Sequence, residues 1–228
     1  MKIVNIIGLV FLFSFSACTR GDNERDESNI QYMNPNDILM TIPTIENTLP
    51  NTTEEKLEEL NLEILEDDWR QVELISSEFI PEINQEIESI KSIFENDTSD
   101  LGNGMVAFRN LHVRELIPSP LKPNLATSDL LDSFSNSALG SLSFMFYGRV
   151  RDGVCIVANS FQLYGIETND KLNCLGFYGS SSYAQDEIFE TELKAFMTKQ
   201  NLVLVDWSAR LVIEPTDIST YLTPTPSE

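Results

Sequence analysis

The segment SLSFMFYGRVRDGVC, residues 141–155, decides the fold class of this chain. Large apolar residues alternate with other residues along its first ten positions, and a period of two is the period of a β-strand. Asp152 and Gly153 then favour a type I′ hairpin turn, because that turn needs two positive φ angles. The segment predicts a hairpin in which Phe144 lies opposite Phe161.

The residues that follow extend this hairpin into a meander. The return strand is predicted over residues 154–166, a turn over 167–171, and a third strand over 172–179. The sequence therefore predicts an α+β fold, in which an antiparallel sheet contains a meander at about residues 141–179 and helices pack on the sheet.

The meander also separates the two cysteines of the second half of the chain. Cys155 begins the middle strand, and Cys174 lies across from Tyr164, about nine residues further along, which is roughly 30 Å at about 3.3 Å per residue. A disulfide needs α-carbons within about 7 Å of each other. Two cysteines in a secreted domain usually suggest a disulfide, but this spacing predicts two buried thiols.

A first long helix is predicted upstream of the meander. Apolar residues recur every three or four positions from Trp69 to Phe94, which predicts one helix face or two helices that meet near Pro81. Proline disfavours a helical residue before it, so residues 82–95 are the firmer part of this helix. A strand at residues 71–75 is the alternative for the first half.

A second helix is predicted over residues 183–200, and it begins with a capping box formed by Ser182 and Gln185. A buried strand follows at residues 202–205 and continues over 209–213. The residues that this helix is expected to bury are Ile188, Phe189, Leu193, Phe196 and Met197.

The start of the chain predicts where the protein resides. Residues 3–15 are apolar, and about 13 residues are too few for a membrane span of about 20, so residues 1–17 are expected to be a secretory signal peptide. The run ends in Ser16-Ala17-Cys18, which resembles the lipobox of bacterial lipoproteins in its Bacteroidota form. The resemblance implies that Cys18 is acylated and anchors the mature chain in the outer membrane; the periplasmic and the cell-surface face both remain open.

Composition divides the rest of the chain into three parts. Residues 18–52 are rich in Asn, Thr, Pro, Asp and Glu, which predicts a lipidated flexible tether. Residues 53–215 carry the periodic apolar patterns and are expected to form a single α+β domain. The Thr- and Pro-rich residues 216–228 are expected to be a disordered tail.

The chain is strongly acidic, with 36 Asp and Glu against 15 Lys and Arg and a net charge of −21. This charge disfavours nucleic acid as a partner, because phosphate binding needs clustered Lys and Arg. Residues 62–100 alone hold twelve acidic and two basic residues. The charge suits a basic protein partner, and Glu82, Glu86 and Glu88 are the expected contact residues because they lie off the apolar face of the predicted helix.

Three Tyr-Gly pairs offer a second candidate surface for a partner. They begin at Tyr147, Tyr164 and Tyr178, and tyrosine is enriched at protein interfaces. The alternative interpretation is that each pair marks a strand position where glycine permits close backbone approach. The strand interpretation is favoured, and a worn internal repeat is a third possibility.

Motifs for catalysis and for metal binding are missing from the sequence. His112 is the one histidine, so any histidine-dependent triad has to include it, and a structural role is expected for it. Ser119 and the lysine three residues later have the spacing of a serine–lysine pair, but the neighbouring prolines argue against the helix that such a pair requires. Asp97, Asp100 and Asn103 miss the register of a calcium-binding loop. We therefore expect no catalytic residues, no metal and no cofactor.

The function expected from these features is the binding of a protein partner. The specific form is an immunity-type protein that neutralises a basic toxin through charge complementarity. The alternative is a structural or envelope-assembly lipoprotein. A hydrolase is the third possibility, since two placed carboxylates suffice for glycoside hydrolysis, although no pair stands out among the acidic residues.

Overall fold

The structure, a computed structural model, describes residues 45–57, 59–96, 98–100, 106–108, 112–113, 116–117, 120–121, 125–158, 161–179 and 187–222. The signal peptide and Cys18 lie outside these ranges. The strands are β1 Ile45–Glu46, β2 Thr52–Thr53, β3 Asn61–Ile64, β4 Val72–Ser76, β5 Thr98–Asp100, β6 Val106–Phe108, β7 His112–Val113, β8 Ala138–Phe144, β9 Gly148–Ala158, β10 Phe161–Thr168, β11 Lys171–Leu172, β12 Gly176–Tyr178, β13 Leu202–Asp206 and β14 Leu211–Ile213. The helices are α1 Ile80–Asn96, α2 Thr127–Leu131, α3 Glu187–Gln200 and α4 Ile218–Leu222, with short 3-10 turns at Glu66–Asp68 and Ser77–Phe79. None of the helices in the described ranges is both long enough and apolar enough to span a membrane.

Eight strands form one continuous sheet in the order β14–β13–β4–β12–β10–β9–β8–β3, with β2 paired to β9 and β11 paired to β10. Neighbours in this order are antiparallel, except that β3 and β8 run parallel. Strands β1 and β7 form a small parallel sheet, and β5 and β6 a small antiparallel one. The predicted α+β fold class is confirmed: the meander β8–β9–β10–β12 is part of a larger, mostly antiparallel sheet, and helices pack on it.

The first hairpin of the meander turns earlier than the sequence predicted. Residues 145–147 join β8 to β9, so that Phe144 pairs with Gly148 and not with Phe161. Asp152 lies inside β9 with a φ of 57°, in the stretch where the register between β8 and β9 shifts. A β-bulge can contain a residue with positive φ, as a turn can. The Asp152–Gly153 pair therefore lies at an irregularity within β9 and not at a hairpin turn.

The predicted return strand is two strands. β9 ends at Ala158 and β10 begins at Phe161, and the two run antiparallel with these residues paired. Tyr164 consequently lies opposite Cys155 on one neighbouring strand and opposite Gly176 on the other. The meander therefore contains one more strand than the alternation of the sequence indicated.

Cys155 and Cys174 both belong to the core cluster around Tyr164. Both are buried, and within the described residues neither forms a disulfide, so the prediction of two buried thiols is confirmed. The predicted separation along a single strand is wrong, because the chain folds back between β9 and β10. The Cys155 thiol donates to the carbonyl oxygen of Ser141 at 3.2 Å.

Apolar side chains pack on both faces of the main sheet, as Leu74 and Ile75 show by belonging to different clusters although they are adjacent on β4. On one face, α2, α3 and α4 cover a cluster that contains Phe161. The centroid of the Phe161 ring lies 3.7 Å from that of Phe189 and 5.2 Å from that of Phe134. On the other face, α1 covers a second cluster.

The region before α1 contains the strand that was the alternative prediction, not a helix. β4 confirms the strand suggested at residues 71–75, and the chain before it consists of strand and turn rather than helix. Helix α1 begins at Ile80 and has Pro81 in its first turn. N–H groups in the first turn of a helix have no partner within the helix, so proline loses no hydrogen bond there. Pro81 therefore starts one helix instead of separating two, and residues 82–95 are helical as predicted.

Helix α3 confirms most of the burial expected of the second helix. Its predicted start, with Ser182 and Gln185, lies outside the described residues. Ile188 was expected to be buried and is 64% exposed, because it lies in the first turn and off the face that meets the sheet. The residues that α3 buries are Phe189, Leu193, Phe196 and Met197.

Both ends of the described chain extend the ordered domain beyond residues 53–215. β14 does not continue β13 but pairs with it antiparallel, because the chain reverses at residues 207–210, where Arg210 has a φ of 59°. Helix α4 lies within the predicted disordered tail, and its Ile218 is fully buried in the main core. Strand β1 lies within the predicted tether, and β2, which pairs with β9, spans the predicted boundary between tether and domain.

Candidate functional site

Glu86, one of the three acidic residues expected on a partner surface, is 1% exposed. Its Oε1 accepts a hydrogen bond from the backbone N–H of Leu116 at 2.8 Å, and its Oε2 is bonded to His112 Nε2. The expectation that Glu86 lies off the buried faces of the helix is wrong, because β7 and the residue Leu116 pack against this side of α1. Glu86 and His112 hold β7 to the helix, which is a structural role.

Glu82 and Glu88 do not form a continuous acidic surface around Glu86. Glu88 is exposed and forms an ion pair with Lys91 at 2.6 Å. Glu82 is half-buried. Because the middle member of the trio points into the protein, this side of α1 is a weaker candidate for a binding surface than its sequence indicates.

Tyr164, from the second predicted surface, is a core residue with 1% exposure. Its hydroxyl accepts a hydrogen bond from the backbone N–H of Arg70 at 2.8 Å and donates to the carbonyl oxygen of Asp68 at 3.2 Å. Burial raises the pKa of Tyr164 well above its usual value. Gly165 supports the alternative interpretation of this pair, since a Cβ there would lie 2.2 Å from the carbonyl oxygen of Cys174.

The three Tyr-Gly pairs therefore do not form one surface. Tyr178 ends β12 and lines a groove beside β4. Tyr147 lies in the turn between β8 and β9 and is 61% exposed. Of the six residues that the sequence proposed, Tyr147 and Glu88 have the exposure that a direct protein contact requires.

A buried ion pair accounts for two further charges of the acidic region. Glu73 is fully buried, and its Oε2 accepts from Arg70 Nε at 2.8 Å while its Oε1 accepts from Trp207 Nε1 at 2.8 Å. Burial lowers the pKa of the Arg70 guanidinium, but Glu73, through its charge and its hydrogen bond, raises it together with the nearby Cys174 and Tyr164, so the pKa lies above its usual value. This network joins β4 to the end of β13 and is part of the core rather than a binding surface.

Phe146, the most exposed large apolar residue of the described chain, lies at the tip of the β8–β9 hairpin between two other exposed apolar residues. Met145, Phe146 and Tyr147 are consecutive, and Phe146 is 76% exposed. The backbone N–H of Met145 donates to the carbonyl oxygen of Ile64 at 3.0 Å, and that of Phe146 donates to Glu66 Oε1 at 2.9 Å. The tip is therefore fixed against β3 and the 3-10 turn after it, and it presents its side chains from a defined backbone.

Two leucines extend this apolar patch. Leu65 follows Ile64, whose carbonyl oxygen accepts from Met145, and is exposed. Leu49 lines a shallow hollow of about 220 Å³ together with Tyr147. We refer to these residues together as the tip surface: Leu49, Leu65, Met145, Phe146 and Tyr147.

Acidic side chains border the tip surface. The exposed carboxylates of Glu63 and Asp67 lie on either side of Leu65 in the chain. Glu54 and Glu55 follow β2, whose Thr53 pairs with Arg149 close to the hairpin turn, and Arg149 Nη1 lies 3.8 Å from Glu55 Oε2. An apolar centre with an acidic border is the complement of an apolar pocket with a basic border.

The sequence contained a signal for this site that strand periodicity concealed. Met145, Phe146 and Tyr147 are three consecutive large apolar or aromatic residues, and such a run does not fit a strand that has one buried and one solvated face. A short run of this kind at a turn is typical of an exposed contact. Because Asp152 and Gly153 favour a turn, the turn was predicted seven residues downstream of the observed one. Met145, Phe146 and Tyr147 were therefore predicted to lie inside a strand.

Within the described residues, no group of three or more His, Cys, Asp and Glu side chains is placed to hold a metal ion. Asp97 and Asn103 of the candidate calcium loop lie outside the described residues, as does Ser119 of the serine–lysine pair. His112 is described, and its contact with Glu86 has the structural role given above.

Comparisons with protein-family models, with curated proteins and with solved structures find no match to this chain. The function of the tip surface is therefore inferred from its geometry and chemistry alone.

Proposed function

We propose that this chain is an extracytoplasmic, lipid-anchored protein that binds a protein partner through the tip surface. The observation that carries the proposal is the exposure of Met145, Phe146 and Tyr147 on a turn that two hydrogen bonds from backbone N–H groups fix in place. Contiguous apolar patches that are open to water are rare on soluble domains unless they bind something. Large aromatic side chains on a rigid support are also the residues that contribute most to protein–protein affinity.

The acidic border indicates the chemistry of the partner. The chain carries a net charge of −21. Glu54, Glu63 and Asp67 are exposed and lie on, or next to, segments that pair with the β8–β9 hairpin. A partner that presents an apolar pocket within a basic surface would be steered to this tip and would bury its aromatic residues. An immunity-type protein that neutralises a basic toxin fits this description.

The experiment that tests the proposal captures partners from envelope extract on the purified chain and on its Phe146→Asp variant. We expect one basic protein to bind the wild type in stoichiometric amount and to be lost from the variant. With the purified partner, Phe146→Asp should weaken binding about 100-fold or more, because a buried aromatic contact is replaced by a desolvated charge.

A matched variant keeps this test specific to the tip. Glu88→Lys reverses an exposed charge on α1, away from the tip surface, and should retain the partner. Equal binding by wild type and Phe146→Asp would contradict the proposal, and loss of binding in Glu88→Lys alone would place the interface on α1. Several envelope proteins bound in unequal amounts would favour the alternative of an envelope-assembly component.

The proposed anchor is an acyl group on Cys18, which follows the lipobox-like Ser16-Ala17 and lies outside the described residues. We expect the mature N-terminus to carry fatty acid and the chain to incorporate labelled palmitate, because acyl chains supply membrane affinity that this acidic protein lacks. Cys18→Ala should abolish the label, whereas Cys155→Ala should leave it unchanged. A mature N-terminus without acyl mass, measured by mass spectrometry, would refute the anchor.

A further inference from the structure

A second concave feature lies where two neighbouring strands of the main sheet separate. β4 and β12 pair at Glu73 and Gly176, and a groove of about 500 Å³ lies between the residues just before β4 and the end of β12. Ligand-binding clefts in proteins fall in this range of volume. The groove lies in the main sheet and shares no residue with the tip surface.

Three aromatic residues line this groove, and of these Phe177 is buried in the main core, whereas Tyr178 and Tyr221 are only partly buried. Tyr178 packs against the core cluster around Tyr164 and lies directly across from Gln162 of β10. Tyr221 of α4 donates its hydroxyl to Asp206 Oδ2 at 2.8 Å, which fixes the orientation of its ring. The two rings lie on opposite faces of the sheet, because Tyr221 packs against the cluster that contains Phe161. Tyr178 is therefore the ring that can stack on a ligand beside Gln162.

The polar side chains of the groove are two amides and one carboxylate. Gln71 precedes β4, Gln162 is the cross-strand neighbour of Tyr178, and Asp68 ends the first 3-10 turn. An amide both donates and accepts hydrogen bonds, and a carboxylate accepts them. Burial raises the pKa of Asp68, as does the charge of Asp67, whereas a hydrogen bond from the backbone of Leu65 lowers it.

We infer that this groove binds a neutral saccharide. Saccharides present hydroxyl groups that match amide and carboxylate partners, and their C–H faces stack on aromatic rings. Among the described residues that line the groove there is no Lys or Arg, so phosphate or carboxylate ligands lack a charge partner there. An organic cation would use Asp68 and Tyr178 but would leave the two amides without a ligand partner.

The groove has the composition of a binding site rather than that of a glycoside hydrolase. Glycoside hydrolysis uses two carboxylates that flank the scissile bond. Asp68 is the one carboxylate among the described lining residues, and Asp206 accepts the hydroxyl of Tyr221 instead.

Calorimetric titration of the purified chain tests this inference. The probes are neutral mono-, di- and tetrasaccharides of glucose, galactose, mannose and N-acetylglucosamine, with choline as the cationic probe. We expect saturable one-to-one binding of at least one saccharide. Tyr178→Ala and Gln162→Ala should weaken that binding tenfold or more, whereas Tyr178→Phe, which keeps the ring, should retain most of it.

Melting temperatures of the variants establish that they are folded, and Phe146→Asp serves as the control for the tip surface. That variant should bind saccharide as the wild type does. The experiment therefore distinguishes loss of saccharide binding in the groove from loss of partner binding at the tip surface. The inference is overturned if no saccharide of the panel binds, if choline binds in their place, or if Tyr178→Ala binds as tightly as the wild type.

Discussion

Replacing Glu73 with alanine is expected to lower the free energy of unfolding by about 3–5 kcal/mol. The variant leaves the Arg70 guanidinium in the protein interior without its carboxylate and removes the acceptor at 2.8 Å from Trp207 Nε1. A buried charge without a counter-charge is far more costly than the loss of one hydrogen bond. Denaturant unfolding of the purified chain, followed by tryptophan fluorescence, measures this loss.

Two further variants separate a buried ion pair from an ordinary surface pair. Glu88→Ala removes the partner of Lys91 on an exposed part of α1 and should change stability little, since surface ion pairs contribute little. The double variant Arg70→Met, Glu73→Leu should recover most of the lost stability, because it removes both buried charges and keeps apolar volume. If Glu73→Ala is as stable as Glu88→Ala, the Arg70–Glu73 pair is not buried as described.

Phe161→Ala is expected to lower the free energy of unfolding by about 3–5 kcal/mol, the usual cost of removing a buried phenylalanine ring. Its ring packs against Phe189 and Phe134 in the main core, so the truncation leaves a cavity that several side chains border. The same denaturant experiment measures the change. Partner binding by the fraction that remains folded should be unaffected.

Phe146→Ala is the matched variant for Phe161→Ala. The same atoms are removed from a side chain that is 76% exposed, so stability should stay within about 0.5 kcal/mol of the wild type. Partner affinity should instead fall by about 2 kcal/mol or more. Unfolding of Phe146→Ala at a lower denaturant concentration, to the same extent as Phe161→Ala, would show that the tip is a part of the core.

Local sequence patterns predicted those strands, helices and turns that are determined by residues close together in the chain. The alternation in β8, the periodicity of α1 and α3, and the turn at Asn169 and Asp170, both with positive φ, follow from neighbouring residues. The Asp-Gly pair at 152 misled because positive φ also serves a bulge. The reversal between Ala158 and Phe161 was missed because alternation continues on both sides of it.

Burial of charge was the feature that sequence reasoning missed most clearly. Glu86 was expected on a partner surface, and Glu73 lies in the same strongly acidic region; both are buried. His112, which bonds to Glu86, is 26 residues away in the chain, and Trp207, which donates to Glu73, is 134 residues away. Arg70 lies three residues before Glu73, but this spacing by itself does not indicate that the pair is buried. The tip surface was missed for a different reason: its position depends on where the hairpin turns, and the predicted turn was displaced.

Site-specific photocrosslinking tests the proposed partner surface most directly. Phe146 and, in a separate variant, Glu88 are replaced by benzoylphenylalanine, and the cells that produce the protein are irradiated before the envelope is analysed by mass spectrometry. We expect a single basic protein crosslinked from position 146 and no specific crosslink from position 88. A specific crosslink from position 88 with none from position 146 would contradict the assignment of the partner to the tip surface.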